Sequence, residues 1–119
     1  MIIRILLIFL FLFPISCSKK KDPIYEIKPK EDAYKIYNEA YIAFEKGDYF
    51  FAQKKFFEAE RNMPLVKFAA KSAIMGSFSL YIINFYDEAE ESLDRFLKKY
   101  PANENTIYAE YLIALIYYE

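Results

Sequence analysis

Two groups of side chains in this 119-residue sequence could carry chemistry. The first is the thiol of Cys17, which can be acylated or oxidised but, as the only cysteine, cannot close a disulfide within the chain. The second is a run of carboxylates, Asp87, Glu88, Glu90 and Glu91, whose type suits acid–base catalysis or metal binding. The sequence has no histidine, so an imidazole base, a histidine metal site and a Ser/His or Cys/His pair are excluded.

The carboxylates lie in a segment with helical spacing. Consecutive residues of a helix point to different sides, so we expect these groups to spread over a solvent-exposed face and not to converge on one site. Glu91 and Arg95 stand one turn apart and are expected to pair and support the helix. The sequence therefore predicts a protein that is not an enzyme and that uses no metal or cofactor. An enzyme whose catalytic part lies elsewhere is the least favoured alternative.

Cys17 closes an apolar leader. The sequence carries no charge from Ile5 to Cys17, and this stretch is shorter than the ~20 residues that a spanning helix needs. A basic start, a short apolar stretch and a small residue before the cut are typical of a signal peptide, here residues 1–16. The sequence PISC at 14–17 resembles the bacterial lipobox, although Leu usually stands where Pro14 does. This resemblance implies a diacylglycerol on the Cys17 sulfur and an acyl chain on its amino group; a free thiol behind an uncleaved anchor is the alternative.

Residues 17–31 are expected to form the lipidated N-terminus and a tether, because they mix lysines with two prolines and contain few large apolar groups. Ser18, in place of Asp, resembles lipoproteins that are passed on to the outer membrane. The formal net charge of −1 provides no basic face. No nucleic-acid partner is therefore expected.

From Asp32 onward the apolar residues recur at helical spacing, and the sequence contains an internal repeat. GDYFFAQKKFFEAERNMP at 47–64 aligns with NFYDEAEESLDRFLKKYP at 84–101 at an offset of 37 residues. Three pairs define this offset: Tyr49 with Tyr86, Ala52 with Ala89, and Pro64 with Pro101. Such a repeat predicts an all-α fold built from helical pairs.

Each repeated position has a physical reason. Gly47 and Asn84 tolerate the left-handed backbone that closes one helix and starts the next. Ala52 is small where paired helices approach closely, and the aromatic Phe56 follows one turn later on the same stripe. Pro64 ends the second helix because it lacks an amide proton. These features resemble the tetratricopeptide repeat, whose usual period is 34 residues; we expect the three additional residues to lie between Pro64 and the next helix.

The predicted architecture is a tetratricopeptide-repeat helical solenoid of about two and a half repeats. The first repeat is expected over residues 32–65 and the second over 66–103. Residues 104–119 are expected to form the first helix of a truncated third repeat, with the helix itself at about 105–119.

The stretch LDRFLKKYPANENTIYAEYL at 93–112, with the lipobox and the long repeat period, resembles the BamD family of the bacterial outer-membrane β-barrel assembly machinery. The resemblance covers about residues 17–119. It implies a scaffold, lipid-anchored at the periplasmic face of the outer membrane, that helps recognise and insert β-barrel proteins, with BamA and other Bam subunits as partners. Family members continue with further repeats, so the chain is expected to be an N-terminal portion. A tetratricopeptide lipoprotein of another envelope system, such as pilus assembly or cell-wall growth, is the alternative.

Tetratricopeptide arrays bind partners on a concave face lined by the first helix of each pair. Aligning the inward positions by the 37-residue offset gives the candidate partner-binding residues Tyr34, Tyr37, Tyr41, Lys71, Phe78, Tyr81, Tyr108, Tyr111 and Tyr118. Phe44 and Ile74 occupy equivalent places and are expected to pack between helices. Tyrosine is favoured at binding surfaces because its ring provides contact area while its hydroxyl can bind water or a partner. Lys71 could bind the terminal carboxylate of an unfolded barrel protein.

Overall fold

The structure is a computed structural model that describes residues 32–119, and within this range the chain forms helices and no strand. The five helices are α1 (Ala33–Glu45), α2 (Tyr49–Asn62), α3 (Val66–Ile82), α4 (Tyr86–Lys99) and α5 (Thr106–Ile116). The predicted all-α fold is confirmed. Across the described range, no helix combines the length and the apolar character needed to cross a membrane.

The helix boundaries follow from local sequence. Asp32 caps α1 by accepting a hydrogen bond from the Tyr34 amide at 3.0 Å, and Asp48 caps α2 through the Phe51 amide at 3.1 Å. Gly47 and Asn84 both have positive φ, 80° and 62°. The predicted left-handed turns are therefore present at the two equivalent positions between paired helices.

Pro64 and Pro101 follow the ends of α2 and α4, as predicted. The expected position of the three additional residues was wrong, because α3 already begins at Val66. Only Leu65 stands between Pro64 and this helix, and α3 has 17 residues where α1 has 13. The expected helix at about 105–119 is also too long: α5 ends at Ile116, and it is followed by a turn in which the amides of Tyr118 and Glu119 both bond the Leu115 carbonyl.

The helices form an antiparallel array in which each packs against its neighbours along the chain, and α3 also contacts α5. The first helices α1, α3 and α5 thus lie on one side, and α2 and α4 lie on the other. This is the arrangement of two helical pairs followed by a fifth helix, as expected for a tetratricopeptide-like solenoid.

The core lies between these two layers. Ala52 and Ala89 are fully buried, as are Phe56 and Leu93 one turn later. The equivalence predicted from the repeat is therefore confirmed in the packing. Small residues also permit a close approach of α2 and α3: a Cβ added at Gly76 would lie 2.7 Å from Cε1 of Phe57.

Candidate functional site

The first helices α1, α3 and α5 present their aromatic residues on one surface. Three ring contacts join these helices, with centroid distances of 5.7 Å for Tyr34–Phe68, 6.0 Å for Phe44–Phe78 and 6.2 Å for Phe78–Tyr108. The residues recur at three- and four-residue spacing, so each helix presents them on one side. We call this surface the aromatic face and define it by Tyr34, Tyr37, Tyr41, Phe44, Phe68, Lys71, Phe78, Tyr81, Tyr108 and Tyr111.

Phe78 lies at the centre of the aromatic face. Its ring stacks on Tyr81 at 6.4 Å with an interplanar angle of 16°, and the Tyr108 ring meets it at 63°. Phe44 contacts it from α1 at a tilt of 36°. Offset-stacked and edge-to-face rings are the favourable arrangements of aromatic pairs. Four rings from three helices therefore form one continuous apolar surface.

A groove between α3 and α5 lies beside these rings. It has a volume of about 490 Å³ and is lined by Lys67, Phe68, Lys71, Ile74, Met75, Glu104, Asn105 and Tyr108. The Lys71 ammonium lies 5.7 Å from the centroid of the Tyr37 ring, which places a cation over the aromatic face. Two lysines face one carboxylate in this groove, so it can hold an apolar side chain together with an anionic group.

Tyr108 contributes a neutral hydrogen-bond donor at the edge of the groove. Partial burial raises its pKa, and the neighbouring Tyr111 and Tyr81 raise it further. Since the ordinary tyrosine pKa is about 10, the Tyr108 hydroxyl stays protonated at neutral pH. The groove thus combines cationic and neutral donors.

Accessibility separates the predicted tyrosines into two groups. Tyr34, Tyr41 and Tyr111 are 45%, 44% and 56% exposed and can reach a partner. Tyr37 is half-buried, with its ring centroid 5.4 Å from that of the fully buried Phe56, so it packs on the core as well as under Lys71.

The two positions expected to pack do so. Ile74 is buried, and Phe44 is half-buried with its ring 6.3 Å from that of Phe56. The predicted packing of Phe44 and Ile74 is therefore confirmed, whereas the same spacing did not identify Tyr37 as a residue that also packs on the core.

Tyr118 is placed differently from the prediction. It lies in the turn after α5 and is 89% exposed, because the helix on which its assignment depended ends at Ile116. The helical register that relates it to Tyr81 does not reach it. Cys17 and the predicted segments 1–16 and 17–31 lie outside the described residues.

Sequence reasoning missed a buried carboxylate on the opposite side of the array. Glu60 of α2 is 6% exposed and receives three side-chain donors from the end of α4. Lys99 Nζ and the Tyr100 hydroxyl both lie 2.9 Å from Oε1, and Arg95 Nη2 lies 3.4 Å from Oε2. We call Glu60, Arg95, Lys99 and Tyr100 the Glu60 cluster. Its sequence signal is an acidic residue four positions after Phe56, on the stripe that packs inward.

Glu60 determines the partners of the cations in the Glu60 cluster. The hydrogen bond to Glu60 raises the pKa of Lys99, and burial raises the pKa of the Tyr100 hydroxyl. The predicted Glu91–Arg95 pair was wrong, because Arg95 reaches across to α2 and bonds Glu60. A buried carboxylate attracts the guanidinium more strongly than an exposed one on the same helix.

The carboxylate run on α4 faces outward, as expected: Asp87, Glu88 and Glu91 are exposed, and Glu90 accepts a hydrogen bond from the Tyr117 hydroxyl. Within residues 32–119, no three acidic or thiol side chains are grouped in a way that could hold a metal ion.

Comparisons with known proteins identify a family for this chain. The family described as "YfiO: Outer membrane lipoprotein" matches residues 29–119. Two relatives named "Outer membrane protein assembly factor BamD" are similar over most of the chain. The relative from Caulobacter vibrioides is 33% identical over 102 residues, covering 86% of this chain and 32% of that protein. The relative from Rickettsia prowazekii is 32% identical over 103 residues, covering 87% of this chain and 40% of that protein.

A relative of the same name from Xylella fastidiosa is 26% identical over 80 residues, covering 67% of this chain and 27% of that protein. The chain thus spans 27% to 40% of the length of these curated relatives. No solved structure matches it significantly.

Proposed function

This chain belongs to the YfiO family of outer membrane lipoproteins, and from that membership we propose that it is part of a lipid-anchored scaffold for outer-membrane β-barrel assembly. In this proposal it acts within a Bam complex, with BamA and other Bam subunits as partners, at the periplasmic face of the outer membrane. The names of the relatives, each an outer membrane protein assembly factor, support this role. The role is one of binding and not of catalysis.

The observation that carries the proposal is the aromatic face with the Lys71 groove beside it. Strands of outer-membrane barrels alternate apolar and polar residues and carry aromatic residues near both membrane interfaces. An unfolded strand could lay its aromatic side chains on the rings around Phe78 while its terminal carboxylate pairs with Lys71. Extended peptides are commonly bound through such pockets for alternate side chains. We therefore assign unfolded outer-membrane β-barrel proteins as the substrates.

The test uses variants of the exposed part of the aromatic face in the full-length parent protein. Lys71→Gln combined with Tyr111→Ala should weaken crosslinking to an unfolded barrel peptide at least about tenfold, or ~1.4 kcal/mol. Matched controls are available on α2, where Lys54 Nζ lies 4.3 Å from the centroid of the Phe50 ring and Phe50 is 49% exposed. Lys54→Gln with Phe50→Ala should leave crosslinking unchanged.

A second arm tests the carboxylate. If Lys71 binds the peptide terminus, an amidated peptide should bind weakly to the wild type and be insensitive to Lys71→Gln. If the two double variants crosslink equally and their helicity is unaltered, the substrate site does not lie on the aromatic face.

The lipid anchor on Cys17 is proposed from the lipobox and from the family description. Labelled palmitate should be incorporated into the wild-type chain. Cys17→Ser should lack the label and run as the larger precursor, because cleavage follows modification of the sulfur. Equal labelling of the two proteins would exclude Cys17 as the anchor.

A further inference from the structure

One end of the helical array holds the point at which the tether joins the domain. Asp32 lies there, with the starts of α3 and α5 and the ends of α2 and α4. Ring contact between Tyr34 and Phe68 joins the starts of α1 and α3. A second groove, of about 360 Å³, joins the start of α3 to the end of α4 and is lined by Val66, Lys67, Lys99, Tyr100, Pro101, Ala102 and Asn103. We call this end of the array the entry end.

The entry end exposes apolar side chains. Val66 and Ile107 are 71% and 79% exposed, and Leu65 is 54% exposed. All three are aliphatic residues near the starts of α3 and α5, and the Tyr34–Phe68 ring contact lies at the same end of the array. Exposed large apolar groups are typical of a surface that contacts another apolar phase. Phe50 and Phe85 are exposed at the opposite end as well, so apolar exposure alone does not select the entry end.

Charge is also distributed unevenly between the two ends. The entry end exposes the cations Lys35, Arg61, Lys67, Lys71, Arg95, Lys98 and Lys99 and the anions Asp32, Asp94, Glu104 and Glu110. The carboxylate of Asp32 is already engaged in capping α1. The opposite end, around Gly47 and Asn84, exposes Glu45, Asp48, Asp87 and Glu88 with the cations Lys46 and Lys54. The array is therefore basic where the tether enters and acidic at the far end.

We propose that the entry end docks on an anionic bilayer surface, with Leu65, Val66 and Ile107 in the headgroup region. This inference rests on the lipid anchor proposed for Cys17. Cys17 and Asp32 are 15 positions apart, so the tether spans no more than ~54 Å, and it joins the domain at the entry end. Exposed cations around the apolar side chains suit anionic headgroups, since basic residues near apolar anchors strengthen interfacial binding.

Docking in this way fixes the orientation of the array. The helices meet the membrane with their ends, and the acidic far end points away from the anionic surface. The aromatic face then stands beside the membrane and stays open along its length, so an extended polypeptide can lie on it while it is close to the bilayer.

The experiment measures how deeply labelled side chains enter the bilayer. It does not measure attachment of the protein to vesicles, because the lipid anchor provides that attachment in any case. Val66→Cys and Ile107→Cys are made in the processed lipoprotein, in which the lipidated Cys17 has no free thiol, and each is labelled with an environment-sensitive fluorophore. Vesicles contain phosphatidylethanolamine and phosphatidylglycerol, with or without brominated acyl chains. The matched controls are Phe50→Cys and Phe85→Cys, since these side chains are 49% and 40% exposed at the far end.

The expected result is a blue shift and bromine quenching at positions 66 and 107 and neither effect at positions 50 and 85. Lys35→Glu with Lys98→Glu should reverse the blue shift, as should vesicles of phosphatidylcholine alone, whereas Lys54→Glu should not. Protein that floats with the vesicles but keeps its labels at 66 and 107 in water would overturn the proposal.

Two other outcomes are also decisive. A blue shift without vesicles that grows with protein concentration would assign the entry end to a second copy of the chain and overturn the membrane proposal. If the protein fails to float with vesicles and Cys17 reacts with the fluorophore, Cys17 carries no lipid, and the anchor on which the proposal rests is absent. Substrate crosslinking is measured separately, so a failure here leaves the test of the aromatic face intact.

Discussion

Tyr100→Phe isolates one hydrogen bond of the Glu60 cluster. The side chain is 6% exposed and its hydroxyl donates to Glu60 Oε1 at 2.9 Å. Phenylalanine keeps the ring contact with Phe96, whose centroid lies 5.4 Å away, so the change leaves no cavity. A hydrogen bond to a charged group contributes about 1.5–3 kcal/mol, and one to a neutral group about 0.5–1.5. We expect Tyr100→Phe to lower the free energy of unfolding by about 1.5–3 kcal/mol.

The assay is equilibrium urea unfolding of residues 18–119, followed by circular dichroism, within a double-mutant cycle. In the Glu60→Gln background the same substitution should cost only about 0.5–1.5 kcal/mol, because the acceptor is no longer charged. Tyr111→Phe is the matched control: Tyr111 is 56% exposed, and its change should stay within about 0.5 kcal/mol. If Tyr100→Phe lowered the free energy of unfolding by less than about 0.5 kcal/mol, or by the same amount in both backgrounds, the hydrogen bond to a charged Glu60 would be refuted.

Two further predictions concern packing and pH. Gly76→Ala should destabilise the wild type by up to about 2 kcal/mol, because the new Cβ overlaps the Phe57 ring and this overpacking outweighs the gain in helix propensity. In a Phe57→Ala background, Gly76→Ala should instead stabilise the protein by about 1 kcal/mol. Urea midpoints that change with the same sign in both backgrounds would exclude the overlap. The pKa values of Lys99 and Tyr100 are both raised in the folded state, so the native state holds these two protons to a higher pH than the unfolded chain does. The two protonated groups therefore stabilise the fold fully below about pH 10, and this contribution is lost as the pH rises above that value. The fall in the urea midpoint between about pH 9 and 11 should be smaller in Glu60→Gln than in the wild type, and equal falls would contradict the assignment.

The residues that define the repeat could be predicted because each meets a local requirement. A positive φ at Gly47 and Asn84, a small residue at Ala52 and a proline after α2 are properties that a single position imposes on its own backbone or nearest partner. Most of the aromatic face could be predicted in the same way, since helical spacing alone places Phe78 and Tyr81 on one side of α3; Phe68 was not among the predicted residues. These predictions need no knowledge of which helix lies opposite.

The features that could not be predicted depend on partners distant in sequence. Arg95 has an acidic neighbour one turn away, yet it bonds Glu60, which stands 35 positions earlier in the chain. Choosing between them requires the distance between α2 and α4 and the burial of Glu60, neither of which is a local property. The predicted placement of Tyr118 within α5 was wrong for another reason, because a helix end depends on small differences in capping that the repeat offset does not contain.

The two sides of the array are linked through α2. Phe56 packs against Tyr37 on the aromatic face, and one turn later Glu60 bonds the end of α4. A shift of α4 relative to α2 would therefore be transmitted to α3, which packs against both and carries Phe78 and Lys71. Breaking a buried ion pair by removing one partner is costly because it leaves a buried charge without compensation. We therefore expect the Glu60 cluster to hold the spacing between the repeats, and with it the distance between Tyr37 and Lys71 on the opposite side.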